Sequence, residues 1–531
     1  MPAVSVGLAA LTGAPLAPFD LSCSQKTVFE ALLEARAKFG GKRTAIVDSD
    51  DRALSYDELV RAALALGHAL KKGTSRGENV GIMLPTGLGS VLSFFAVSAF
   101  GRIPTMMNFT SGAAGMMSAA RTATVERIVT ARRFIELAKL ENLAEELSKV
   151  TQLVYLEDIR AKLSLRDKAV AGIGQFLPRL VTPRPAHESP AVVLFTSGTE
   201  GEPKGVALSH SNIIVNIKQV CQHVAMFPHD VMFNPLPTFH CFGLLGVLVP
   251  LFQGMKSVLH PTPLRPHEIV KRVQETCASI LLSTDTFMSQ YARVAESGEL
   301  KSVRMAVCGA ERVRDETRRL LKKKHNLDAI EGYGLTETSP IAAANQPGDN
   351  RPGTVGRLMP GMQARLEPVD GIPGAGRLYV KGPNVMLGYI KAQNPGVIEP
   401  VENGWHDTGD VVSVDDEGVI SIRGRLKRFA NVGGETVSLT VTENCAGAVW
   451  PDHRHAAIAV ADDRKGEQIV LVTTATEPDR TALIAWAQAN GMAEIALPRR
   501  ILTVDDIPVL GTGKPDYMKV DTIVRARLKA G

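Results

Sequence analysis

Residues 192–208 read VVLFTSGTEGEPKGVAL, and here residue types and spacing promise chemistry. Four β-favouring apolar residues (Val192, Val193, Leu194, Phe195) lead into Thr196, Ser197, Gly198, Thr199, Glu200, Gly201, Glu202, Pro203, Lys204 and Gly205, and a second apolar run begins at Val206. The pattern predicts a strand, a Gly/Ser/Thr loop and another strand. Glycines let backbone amides approach an anion, hydroxyls add hydrogen bonds and Lys204 adds positive charge, a combination suited to a polyphosphate. It is not a Walker loop, because neither G-x-x-x-x-G-K-[ST] nor G-x-G-x-x-G occurs in the chain. Read alone, the stretch would serve equally as a turn joining two strands.

Further candidates lie downstream. AIEGYGLTETSP (329–340) is a strand entering a Gly/Thr/Glu turn. A carboxylate beside a triphosphate makes sense with a cation between them, and Mg²⁺ takes one or two protein oxygens plus phosphate oxygens. Glu337 is therefore the candidate magnesium ligand and Thr336 a phosphate contact; a surface glutamate is the plainer alternative. In 404–439, Asp410 ends an aromatic, Gly-rich turn and Arg425 follows a short hairpin. An ionised carboxylate accepts ribose hydroxyls well, although DTGD could also be an Asx turn. His240 precedes an apolar helix that starts with Phe242 and Gly243, and apolar residues all round a helix usually mean core. Lys514 sits on a Gly/Pro-bounded loop, ordinarily a solvated tip.

The elements that must position these groups alternate. FEALLEARAKF predicts an amphipathic helix within 27–39, followed by a strand at 44–47 and a turn at 48–52. The helix 54–72 has Ser55 as N-cap and Glu58 three residues on, a capping box. ENVGIMLPTG predicts a strand and GSVLSFFAVSAFGRIP a buried helix, so a parallel sheet with helices on its faces follows. His68 is expected to be a core or solvated histidine. Residues 157–190, basic and proline-rich, predict a surface connection; a membrane could accept their Leu, Phe and Arg, but a solvated loop is the simpler account.

The ten residues TSGTEGEPKG closely resemble the phosphate loop of the adenylate-forming superfamily of acyl-CoA synthetases, peptide-synthetase adenylation domains and luciferases. That resemblance implies an α/β fold with a large N-terminal domain (1–424) of layered sheets and helices and a small mobile C-terminal α+β domain (425–531). It implies that ATP is held by Thr196, Ser197, Gly198, Thr199 and Gly201, by Gly309, Ala310 and Glu311, and by Gly332, Tyr333 and Gly334 at the adenine. Asp410 and Arg425 would hold the ribose, and Mg²⁺ would sit on Glu337. Lys204, Thr336, Glu337 and Lys514 would be catalytic, with Lys514 bridging the reacting carboxylate and the α-phosphate. His240 would gate the carboxylate pocket formed with Phe242 and Gly243, and the helix behind it would line an acyl tunnel. Residues 424–429 would be the hinge, and GGETV (433–437) a loop that swings towards the thiol substrate.

Over about 190–517 the chain resembles the acyl-acyl carrier protein synthetase half of the bifunctional 2-acylglycerophosphoethanolamine acyltransferases, on the letters PLPTFHCFG, AVCGAERV, EGYGLTE, RPGTVGRLMPGMQARL, GRLKRFANVGGETVSL and PVLGTGKPDY. No H-x-x-x-x-D dyad occurs, so acyltransferase activity is not expected. Arg428 stands where the superfamily's hinge motif G-R-x-K-D has Asp, and Pro515 and Asp516 follow the lysine; both agree with the carrier-protein branch. The expected function is formation of acyl-AMP from a fatty acid and transfer to acyl carrier protein, with CoA as the alternative acceptor and a silent nucleotide-binding protein as the third reading.

Composition agrees with an enzyme in water. The 531 residues are 45% hydrophobic and 22% charged, enough for more than one domain. A net charge of +5 is too small and dispersed for nucleic acid. Six scattered cysteines without C-x-x-C suggest reduced thiols and a cytoplasmic setting, with peripheral membrane contact left open. The apolar N-terminus has no Lys or Arg before it, which argues against a signal peptide. The Arg/Lys-rich helix after Glu311 is ordinarily a solvated face; docking of an acidic carrier protein is the alternative.

Overall fold

The computed structural model describes residues 19–197, 202–432, 434–462, 466–509 and 515–530. By contacts these divide into a large unit, 19–362 with 381–406, and a small unit, 363–380 with 407–530. Residues 363–380 and 407–424 thus group with the C-terminal part, whereas the sequence division falls at 424/425. A hinge is defined by motion rather than contact density, so 424–429 remains the proposed pivot.

The large unit holds two sheets. One takes eight described strands, from Ile398–Pro400 at one edge to Gln152–Tyr155 at the other, with the hairpin Pro190–Ser197 and Pro203–Ser209 inside it. The other takes nine, including Val231–Asn234, Met305–Cys308 and Ala329–Gly334. Strands alternate their side chains between faces. Val192 and Leu194 therefore enter one core, shared with Met232, Ile280 and Leu282 of the second sheet, while Val193 faces a different cluster with Ile128 and Met116. Phe233 and Leu281 likewise face away from Met232 and Ile280, onto helices Pro266–Glu275 and Asp285–Val294. The shared core also contains helices Val28–Phe39, Tyr56–Leu70, Leu88–Ala99 and Cys241–Gln253, so the unit is layered helix, sheet, helix, sheet, helix.

Local sequence explains many boundaries. Ser55 and Glu58 form the expected capping box, and Thr27 with Glu30 forms another. The turn at 48–52 closes through Asp48 N–H to the Arg52 carbonyl at 3.0 Å. The expected parallel arrangement holds for Asn79–Ile82, Ile103–Met106 and Arg127–Thr130.

Residues 157–190 depart from the expected surface connection, for they fold as helices Leu156–Ala161, Leu165–Phe176 and Pro178–Val181. The second starts with a Ser164–Asp167 capping box, and Asp167 is anchored in turn by His68 Nδ1 at 2.6 Å and Lys72 Nζ at 3.1 Å. His68 is thus a core histidine with a partner. In the small unit a five-stranded sheet built on Gly466–Thr473 and His455–Asp462 packs Val470 and Val472 against helix Tyr517–Ala530. A separate four-stranded sheet carries His406–Val414 and Ile420–Arg425.

Candidate active site

In the hairpin, Thr196 pairs with Lys204 and Ser197 with Pro203, so two strands pinch the Gly/Ser/Thr loop at its base. Gly198, Thr199 and Gly201 lie outside the described residues. Strand Gly388–Ile390 pairs with the second hairpin strand, Tyr389 opposite Val206, and thereby delivers Tyr389 to the loop's base. Its hydroxyl donates to Glu337 Oε1 at 2.6 Å, and Lys204 Nζ lies 5.6 Å from its ring centroid, within cation–π reach.

Glu337 is buried in the single 3-10 turn Thr336–Thr338, and its carbonyl accepts Met386 N–H at 2.9 Å. Thr336 Oγ1 donates to Cys241 Sγ at 3.4 Å, joining this turn to the start of helix Cys241–Gln253. His240 is the N-cap residue there, its ring 4.8 Å from that of Phe239, and Phe242 packs over Gly309, whose added Cβ would meet that ring at 3.1 Å. Lys204, Thr336, Glu337, His240, Phe242 and Gly309 are thereby linked through Tyr389 and Cys241.

Two glycines are required by close approach. A Cβ on Gly334 would overlap the Pro340 carbonyl, and one on Gly243 the Pro237 carbonyl. Gly243 thus serves the packing of the helix start. Behind it Leu244, Val247, Leu248 and Leu251 are buried in the shared core, the plainer of the two readings of that apolar helix. Ala310 takes φ +67° to turn the chain, and Glu311 accepts hydrogen bonds from Thr286 N–H and Oγ1 at 3.0 and 2.9 Å, at the start of helix Asp285–Val294. Tyr333 sits opposite Ala343 and Gly332 opposite Ala344 in the strand entering the Glu337 turn.

In the small unit Asp410 and Arg425 are direct cross-strand neighbours, and Arg425 Nε donates to Asp410 Oδ1 at 3.0 Å. The carboxylate is buried while the Arg425 side chain is mostly exposed. Arg428, the departure at the hinge motif, has a structural reason. Its guanidinium bonds Glu443 Oε1 and the Ala457 carbonyl, both at 2.6 Å, and lies 3.7 Å from the Tyr517 ring centroid. Tyr517 Oη donates to the other Glu443 oxygen at 3.2 Å. Burial pushes the Glu443 carboxyl up, against the pull of Arg428 and its other hydrogen-bond donors. Val509 bridges to Pro515, and Asp516 N–H donates to the Pro508 carbonyl at 2.7 Å. Lys514, and Gly433 of the GGETV loop, lie outside the described residues.

Sequence reasoning missed Tyr389, Glu443 and Tyr517. Nothing in MLGY marks Tyr389; only the pairing of strands almost two hundred residues apart brings it to Lys204. Glu337 is suited to the expected role of magnesium ligand, having a second oxygen beside the one that binds Tyr389. Among the described residues no cluster of three or more His, Cys, Asp or Glu forms a protein cage. The basic helix Asp315–His325 is largely engaged internally: Arg314 bonds Asp285, Arg318 pairs with Glu331, Lys322 with Asp328, and Lys324 bonds the Ala292 and Arg293 carbonyls. None of the six cysteines forms a disulfide.

The family model described as AMP-binding enzyme matches residues 33–390, spanning the hairpin, the Glu337 turn and Tyr389. The chain belongs to the AMP-binding enzyme family. Among the family's proteins, it is 25% identical over 492 residues to a medium-chain fatty-acid–CoA ligase of Escherichia coli K12, covering 89% of this chain and 86% of that one. It is 26% identical to a long-chain-fatty-acid–CoA ligase of Salmonella typhimurium, covering 83% and 84%. In fold it is similar to ATP-bound MatB from Rhodopseudomonas palustris, with a TM-score of 0.80 at 23% identity, covering 94% of this chain and 99% of that one. The expected adenylate-forming architecture is thus the one observed.

Proposed function

We propose that this chain is a fatty acid–CoA ligase of the AMP-forming type. A fatty carboxylate oxygen attacks the α-phosphorus of ATP, the bond to the β-phosphate oxygen breaks, and acyl-AMP and pyrophosphate result. The CoA thiolate then attacks the acyl carbonyl and AMP leaves. The observation that carries the reading is the linkage of Lys204, Tyr389 and Glu337 at the base of the Gly/Ser/Thr loop, within a chain of this family.

Both steps bring anions together, so the protein's work is positioning and charge neutralisation. Lys204 and the hydroxyls of Thr196, Ser197, Thr199 and Thr336 serve the phosphates. Glu337 would hold Mg²⁺, which supplies positive charge to the departing pyrophosphate; Tyr389 orients that carboxylate. Tyr333 flanks the adenine, Asp410 and Arg425 hold the ribose, and Lys514 serves the attacking oxygen and α-phosphate. His240, Phe242 and Gly243 frame the acid's carboxylate. Between the steps the segment from 425 onward turns about 424–429 to admit the thiol.

The sequence placed acyl carrier protein first and CoA second as acceptor. The relatives named as CoA ligases favour the reverse order. Among the described residues no helix is long and apolar enough to cross a bilayer.

The test is ATP–pyrophosphate exchange over carboxylates from acetate to stearate, followed by thioester assays with CoA and with holo-acyl carrier protein. Exchange with fatty acids and acyl-CoA formation are expected. Thioester on the carrier protein alone would restore the first acceptor, and no exchange with any acid would restore the silent nucleotide-binding protein.

A further inference from the structure

Helix Leu165–Phe176 is built the wrong way round for a core helix. Leu165, Ala169, Ile173 and Phe176 recur at i, i+4, i+8 and i+11, a single stripe, yet Leu165 is 84% and Phe176 76% exposed. Its buried face is instead Asp167, Ala171, Gly174 and Gln175. The helix cannot roll to hide the stripe. Against the cost of burial, hydrogen bonds from Ser164, His68 and Lys72 hold the Asp167 carboxyl well below the usual range, fixing it as the inward anchor. Beyond the helix, Leu177 and Leu180 (74% exposed) extend the apolar surface.

Charge accompanies it. Arg166 and Lys168 flank the stripe and Arg179 follows, while the buried Asp167 is the one acidic residue in 159–184. Next to Leu180 opens a cavity of about 320 Å³ whose walls carry Lys71, Arg76 and Arg102. Burial and then neighbouring guanidinium groups lower the affinity of Lys71 for its proton. Leu180 belongs to both the apolar surface and the cationic cavity.

We propose that this face docks on an anionic phospholipid bilayer, with Ile173, Phe176 and Leu180 entering the acyl boundary and a lipid phosphate seated between Lys71 and Arg76, beside Arg102, whose guanidinium is held by Thr74, Phe100 and Lys71. Exposed apolar side chains flanked by Lys and Arg match a surface that is apolar beneath and anionic at the headgroups. An acidic protein would answer the cations but leave Phe176 and Leu180 without apolar depth. Such docking does not depend on the ligase reading.

The full chain is tested by sedimentation with phosphatidylcholine vesicles, with and without phosphatidylglycerol. Binding to the anionic vesicles is expected, falling at about 1 M salt, where the Debye length is about 3 Å. Ile173→Glu/Phe176→Glu/Leu180→Glu, all at exposed positions, and separately Lys71→Glu/Arg76→Glu, should each weaken it at least about tenfold, with unchanged melting and unchanged turnover of a soluble acid. Equal binding to neutral vesicles, binding insensitive to both variants, or no vesicle binding would overturn the proposal. So would self-association, or capture of an acidic carrier protein, that the stripe variant abolishes while vesicles are ignored; either assigns the face to a protein partner. Inorganic phosphate bound as tightly as the vesicles would reduce the cavity to a free-anion site and overturn the lipid assignment.

Discussion

Two groups of side chains in this molecule share one chemical plan and differ in how far it is closed on itself. Lys204, Tyr389 and Glu337 in the large unit, and Arg428, Tyr517 and Glu443 in the small one, each set a cation at a tyrosine ring whose hydroxyl donates to a carboxylate. In the second, cation and carboxylate also bond each other, Ala457 N–H donates to Glu443 at 2.8 Å, and both charged side chains are only 14% exposed. In the first, Lys204 and Glu337 form no such ion pair among the described residues. A closed triad satisfies itself and stabilises structure; an open one leaves charge for a ligand. Residue types therefore do not separate a structural cluster from a catalytic one, whereas the remaining hydrogen-bonding and charge capacity does.

The comparison can be broken by substitution. The largest effect belongs to the proposed reaction centre: Lys514→Ala, and likewise Glu337→Ala, should lower ATP–pyrophosphate exchange by about 10²–10³-fold or more, as loss of one preorganised electrostatic group does, with the thermal midpoint nearly unchanged. Undiminished exchange would remove that residue from the mechanism. In the closed triad Arg428→Ala leaves a buried carboxylate unpaired, which costs about 3–5 kcal/mol. Hydrogen exchange in His455–Asp462, the strand whose Ala457 bonds both Arg428 and Glu443, should report the loss.

The same variant should acquire a pH dependence. The folded-state pKa of Glu443 is already above its unfolded value, because burial disfavours the charge. Such a group contributes stability below the unfolded pKa and loses it as pH rises through the folded one. Without Arg428 the folded value rises further, so the variant should melt higher at pH 5 than at pH 8. Adding Glu443→Gln should flatten that difference; a slope that survives would locate the titration elsewhere. The smallest effect is at the tyrosine of the open triad. Tyr389→Phe removes one hydrogen bond to a charged group, about 1.5–3 kcal/mol or roughly tenfold or more in kcat/KM, with little change in melting. A melting loss as large as that of Arg428→Ala would mean the two triads do the same job.

Much of this was readable in advance. The paired strands Pro190–Ser197 and Pro203–Ser209 follow from β-branched runs punctuated by glycine, and the Ser55–Glu58 box from two side chains three positions apart. These are local rules, complete within a few residues. Residues 157–190 were misread because proline and basic residues masked a capping box at Ser164, and because an apolar stripe at helical spacing says that a face exists, not whether it meets core or solvent. The Arg428 departure was visible as a letter without a reason.

The sequence alone determined the chemistry on offer: a Gly/Ser/Thr loop with one lysine, a carboxylate in a tight turn, and alternating elements able to carry them, all set by short-range stereochemistry and hydrophobic periodicity. Tertiary structure decided which of those groups act together. Tyr389 reaches Glu337 only because Gly388–Ile390 adds to the hairpin's edge, and Arg428 meets Glu443 and Tyr517 only once strand, helix and terminal helix have packed. Such long-range pairings are fixed by how complete layers bury one another, a property no window of residues contains.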